Sequence, residues 1–142
     1  MKSILMFAVA GYVAAARAEL PTVQLNAGMY LIHAEVAADM GSRMQGLMHR
    51  KSMAANAGML FIFDEASTQC MWMKNTYLPL SVAFLDESGA ILNIADMQPQ
   101  TEQSHCSSGP ARYALEMNQG WFAQRGIKPG TKLGGLEKLR RR

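Results

Sequence analysis

The chain has 142 residues, room for one domain of ordinary size and too little for two. It is 49% hydrophobic and 18% charged, which excludes a disordered chain and permits a packed core. The formal charge of +3 belongs to the ends: residues 19–136 carry 8 basic and 10 acidic side chains, net −2, while Lys138, Arg140, Arg141 and Arg142 form a basic tail. An acidic body argues against a nucleic-acid partner held through phosphate contacts.

Residues 1–18 read as a secretory signal peptide. Lys2 supplies the positive start, Ile4 to Ala16 is an uncharged stretch of 13 residues, and Ala16-Arg17-Ala18 fits small-x-small cleavage, leaving Glu19 first. Such a run rises about 20 Å as a helix, short of the roughly 30 Å of a bilayer core. No transmembrane segment is expected, and the chain should be exported, periplasmic or secreted.

Residues 19–27 read as a leader. From Met29 to Ala37 the pattern alternates, with Tyr30, Ile32, Ala34 and Val36 on one side, as in a strand. Asp39 then stands as N-cap to a helix carrying Met40, Met44, Leu47 and Met48 at helical spacing. After a polar loop, Gly58 to Phe63 is a short apolar strand. Further strands are expected over 70–76, 81–86, 90–97 and 112–118, with Asp86 to Gly89 as a hairpin turn. The expected fold is mainly β (α+β), a single compact antiparallel β-sandwich or barrel-like domain over 28–134 with one principal helix. Residues 135–142 read as a solvated basic tail.

Cys70 and Cys106 are the only cysteines. In an oxidising compartment they are expected to form a disulfide, tethering the 98–110 loop, which holds no large apolar side chain. Neither C-x-x-C spacing nor a spatial Cys–His pair is legible, so a redox or nucleophilic role is the weaker reading.

Several motifs together resemble the DUF192 family (domain of unknown function 192). They are Arg43-Met44-Gln45-Gly46-Leu47-Met48-His49-Arg50, Gly58-Met59-Leu60-Phe61-Ile62-Phe63, Trp72-Met73-Lys74-Asn75-Thr76, Pro79-Leu80 with Phe84-Leu85-Asp86, and Arg112-Tyr113-Ala114-Leu115-Glu116 before Gly120. The resemblance spans roughly residues 28–134 and implies a compact, β-rich domain with one helix, often exported. It brings no activity. Where the family pattern commonly has Asp after Pro-Leu, this chain has Ser81.

Strand parity supplies the candidate site. Trp72 and Lys74 would share a face of one strand, and Arg112 and Glu116 a face of another. With Trp121 nearby, an indole beside charged groups could hold a sugar or a small anion; an ordinary ion-paired surface is the alternative. Arg43 is expected to buttress the helix on the sheet, Gly46 to allow their close approach, and Gly58 to be structural. No catalytic residue is assigned. A glycan hydrolase using Glu116 would need a second carboxylate, and the sequence offers only Asp86 or Asp96 without fixed geometry. No cofactor is expected, and His33, His49 and His105 lack metal-ligand spacing. Met40, Met44 and Met48, beside His49, could hold Cu(I), against the plainer role of core filler. The expected function is a small-ligand-binding or envelope-interaction module whose partner is a small molecule or envelope component.

Overall fold

The computed structural model describes Gly11 and residues 19–141. The expected signal segment with its cleavage site lies outside the described residues. Alternation builds the first hairpin. β1 (Thr22–Ala27) buries Val23, Leu25 and Ala27, and β2 (Tyr30–Ala37) buries Ile32, Ala34 and Val36. The segment read as a leader thus contains an edge strand, paired antiparallel to β2.

Asp39 caps α1 (Met40–Gln45), its Oδ1 accepting from the Ser42 amide at 2.7 Å. The helix ends at Gly46, whose φ of +48° favours glycine. A Cβ there would also press on the Phe61 ring at 3.3 Å. β3 (Ala57–Ser67) then returns parallel to β2, with α1 inside the crossover. This is the one parallel pairing in the sheet; the remaining ladders are antiparallel, as expected.

β5 (Leu80–Leu85), β6 (Ile91–Met97) and β8 (Ala111–Asn118) complete a six-stranded sheet in the order β1-β2-β3-β8-β5-β6. The sheet is open, with β1 and β6 at its edges. A second, two-stranded sheet pairs β4 (Cys70–Met71) with β7 (His105–Cys106). There Cys70 faces Cys106 in register with the sulfurs bonded, so the 98–110 loop is tied to the chain at Cys70.

Each face of the large sheet carries its own core. On the first, Leu25, Ile32, Leu60, Leu115 and Met117 pack under Trp121, Phe122, Ile127, Leu133 and Leu136. The cover comes from α2 (Trp121–Gln124) and the chain beyond it. The basic tail is part of this cover. Leu136 is buried in a 3-10 turn over Leu136–Arg141, Leu139 packs beside it, and Arg140 donates to the Glu87 carbonyl at 3.2 Å. The solvated tail expected from its charges is corrected by those two leucines, which have apolar surface to bury.

On the second face, Met59, Phe61, Leu80, Val82 and Phe84 pack against Leu47, Met73 and Leu78. Among the described residues no helix is long and apolar enough to cross a membrane.

Candidate functional site

The second face is incompletely covered. Between α1, β3 and the chain around β4 lies a cavity of about 400 Å³, within the size range of small-molecule sites. α1 and its exit contribute Met40, Met44 and Met48; β3 contributes Phe61 and Phe63. Met71 and Trp72 close another side. Polar side chains share the lining: the charged Arg43, Asp64, Glu65 and Glu116, and the neutral Gln45, Ser67, Gln69 and Thr76.

Glu116 is the unusual member. β8 runs between β3 and β5, so both of its hydrogen-bonding edges are paired. Tyr113, Leu115 and Met117 enter the first core, while Ala114 and Glu116 point to the second. Glu116 stands opposite Met59 on one side and Val82 on the other, and is 4% exposed. No described residue offers its carboxyl a hydrogen bond or an opposite charge. Burial alone pushes it up to about 8, so the group is mostly neutral at pH 7.

Gly58 protects this placement. A Cβ there would collide with the Met117 sulfur and the Glu116 carbonyl oxygen, so only glycine lets β3 approach β8 this closely. Arg43 braces the opposite wall. Its Nη1 donates to the carbonyls of Ala38 at 2.6 Å and Ile62 at 3.0 Å, and lies 3.6 Å from Asp64. Arg50 and Glu35 form a two-point pair outside the cavity, one bond being 2.9 Å.

The wall bearing Trp72 is a looped segment. The strand expected over 70–76 stops at Met71, because the following backbone groups are satisfied elsewhere. Met73 donates to the Thr101 carbonyl at 3.0 Å, and Thr76 closes a turn on Met73 at 3.1 Å. Asn75 has a φ of +54° and accepts from the amide of His49, itself at +65°. Gln100, at +56°, donates to Thr76. Non-glycine residues in this region carry strain, and all three lie where neighbouring segments lock together behind the cavity wall.

The sequence-derived residues divide accordingly. Trp72, 43% exposed, and Glu116 line the same cavity. Lys74 lies just outside, its Nζ 5.2 Å over the Trp72 ring and 3.9 Å from Glu102. Arg112 is not with them. The β3–β8 register shifts between Ile62 and Ser67, breaking the alternation. Arg112 then lines a recess with Glu87 and Arg140, its Nη1 3.8 Å from Glu87. Trp121 is also elsewhere, 2% exposed in the first core, with its Nε1 donating to Asn56 and Arg125 at 4.4 Å over its ring.

Three further expectations change. Met40 and Met44 are exposed at the cavity edge rather than filling the core. Gly46 ends the helix before Met48, so the three methionines do not continue along one helical face. Neither Asp86 nor Asp96 lines the cavity. Asp86 holds its own turn through Ser88 and Ala90, while Asp96 accepts from Ser81 at 2.6 Å. Ser81 also accepts from the Gly120 amide at 2.9 Å. It alternates with Leu80 and Val82 of the second core, so the position where the family commonly has Asp belongs to the other face. Among the described residues, no three His, Cys, Asp or Glu side chains are grouped to hold a metal ion.

The feature missed by sequence was the acidic pair Asp64-Glu65 at the cavity rim. Its signal was present in the exposed end of a strand that begins wholly apolar.

The fold and site define a class: an open mixed β-sheet with one closed core and, on its other face, a pocket built around a buried acid. Residues 22–135 match the DUF192 profile, described as "Uncharacterized ACR", and the chain belongs to this family. Two crystal structures are similar. A Sinorhizobium meliloti 1021 protein described as a candidate transcription regulator is 36% identical, with a TM-score of 0.81 over 85% of this chain and 98% of that one. A Novosphingobium aromaticivorans DSM 12444 protein of unknown function is 31% identical, with a TM-score of 0.74 over 84% and 93%. No curated protein matches the sequence.

Proposed function

We propose that this protein is an exported small-ligand-binding module whose site is the methionine-lined cavity above Glu116. The observation that carries the reading is the Glu116 carboxyl: buried, unpartnered among the described residues, and facing open space. The carboxyl opens on the cavity rather than on protein donors, so a ligand group that hydrogen-bonds it takes the place of any solvent that reaches it there. Phe61, Phe63 and the methionines offer an apolar, adaptable wall for the rest of the ligand. The Cys70–Cys106 bond fits an oxidising compartment and supports export.

Gene regulation, suggested by the description of the Sinorhizobium protein, has less support, because residues 19–136 are net acidic. A second reading, Cu(I) binding, draws on Met40, Met44, Met48 and Met71 all lining one cavity.

Protein purified from cells expressing the full chain can be screened against a library of small amphipathic molecules by thermal shift and native mass spectrometry. Ligands should raise Tm, and Glu116→Gln and Trp72→Ala should each remove the shift while remaining folded. The reading fails if no ligand binds, or if every ligand that binds does so equally well to both variants. Titration with Cu(I) in the same format tests the second reading, which predicts loss of binding in a Met44→Leu, Met48→Leu double variant. Intact mass of periplasmic protein tests export, and a full-length species retained at the membrane would refute it.

A further inference from the structure

We propose that the ligand carries a cationic ammonium head, which pairs with the Glu116 carboxylate while its apolar body lies against the methionines and aromatic rings. This deepens the ligand-binding reading above and rests on it.

The charge inventory of the cavity points this way. α1 contributes Arg43, whose guanidinium is already committed to two carbonyls and to Asp64. β3 contributes Asp64 and Glu65, both exposed at the rim. The neighbours of Glu116 across the sheet, Met59 and Val82, bring no charge. From the chain around β4 the lining is Cys70, Met71, Trp72 and Thr76, with Lys74 turned to the outer side of Trp72 and near Glu102. Glu65 and Glu116 are therefore left without a cationic partner of their own, and an anionic ligand would meet them both.

The walls suit a cation as well. Aromatic faces and thioether sulfurs present electron-rich surface to an ammonium group. The protein already displays this chemistry once, since the Lys74 ammonium sits over the Trp72 indole. A guest ammonium entering the cavity would meet Phe61, Phe63 and Trp72 on its way to the floor.

Binding then has a defined proton balance. The free protein holds Glu116 largely as the neutral acid below pH 8. When the ammonium arrives, the carboxyl O–H proton leaves to solvent and the carboxylate pairs with the ligand, which keeps its own protons. Affinity for an ammonium therefore rises with pH up to the Glu116 pKa and levels off above it. A ligand that needs the neutral acid as a hydrogen-bond donor shows the opposite slope.

Isothermal titration of the oxidised protein with hexylamine, hexanol and hexanoate separates these outcomes. Hexylamine stays protonated through the range, as lysine does with a pKa of about 10.4. It should bind most tightly, gain up to about fiftyfold in affinity between roughly pH 6 and 8, and release up to one proton, read from buffers of different ionisation enthalpy. Glu116→Gln should weaken hexylamine by about tenfold or more and abolish the proton release. Tighter binding of hexanol or hexanoate, or hexylamine binding without proton release, overturns the cationic head and leaves the ligand site standing. If none of the three binds, the cationic head and the site as described both fall. The proton count is measured on the unaltered protein, so the test does not depend on the variant folding.

Discussion

The two faces of the large sheet are covered by different means. On one, Trp121, Phe122, Ile127, Leu133 and Leu136 complete a continuous apolar core. On the other, α1 and the chain around β4 leave a cavity of about 400 Å³, with an acid at its base and exposed methionines at its edge. The same strands serve both faces, so the difference lies in what covers them. A dry core gains stability from every side chain it encloses. The cavity face gives up some of that packing and retains an uncompensated carboxyl, the pattern expected where structure serves binding.

The sharpest test of this contrast is truncation on either side. Phe122→Ala should cost about 3–5 kcal/mol, as for a fully buried aromatic residue. Met44→Ala, 65% exposed at the cavity edge, should cost under about 0.5 kcal/mol. Urea denaturation of the two variants measures both, and comparable losses would erase the distinction between the faces.

Reducing Cys70–Cys106 should come next in size. The loop-entropy account of a bond spanning 36 residues allows about 4 kcal/mol at most. Hydrogen exchange should show loosening in β4, β7 and the Trp72 wall, with the core around Trp121 still protected. Uniform loosening would show that the two regions open as one unit.

Glu116 links the cavity to the pH dependence of stability. Its folded pKa of about 8 lies above its ordinary value of 4.5. Between those values the unfolded chain binds fewer protons than the folded one, so this group makes stability fall as pH rises from about 4.5 to 8. Glu116→Gln removes that contribution. Its Tm should therefore gain on the unaltered protein across this interval, and a constant difference at every pH would remove the buried acid from the account.

The smallest effect is optical. The chain has two tryptophans, one on each side of the contrast. Acrylamide should quench Trp72 strongly and Trp121 weakly, so Trp72→Phe should leave a shielded emission. Emission that remains easily quenched in that variant would place Trp121 in an exposed setting, contrary to its burial.

Much of this architecture was legible from residue order. Alternation marked β2 and β8, the turn at Asp86 to Gly89 marked the hairpin of β5 and β6, Asp39 marked the start of α1, and the motifs marked the family. These signals are local, set by side-chain periodicity and capping chemistry within a few residues. The pairing of Cys70 with Cys106 was legible too, because two cysteines allow only one intrachain bond.

What tertiary structure decided was which polar side chains meet. Parity placed Arg112 and Glu116 on one face, but a register shift beside Ile62 turned Arg112 away, and the layer over the second face left Glu116 4% exposed beside the cavity. Trp121 went to the opposite core for a similar reason: its environment depends on which sheet face the chain covers after Gly120. Met40 and Met44 had the spacing of core residues, yet α1 ends too soon and its cover is too narrow to enclose them. Period and capping are properties of neighbours in sequence. Burial depends on strand order and on the layer above the sheet, which bring together residues far apart in the chain.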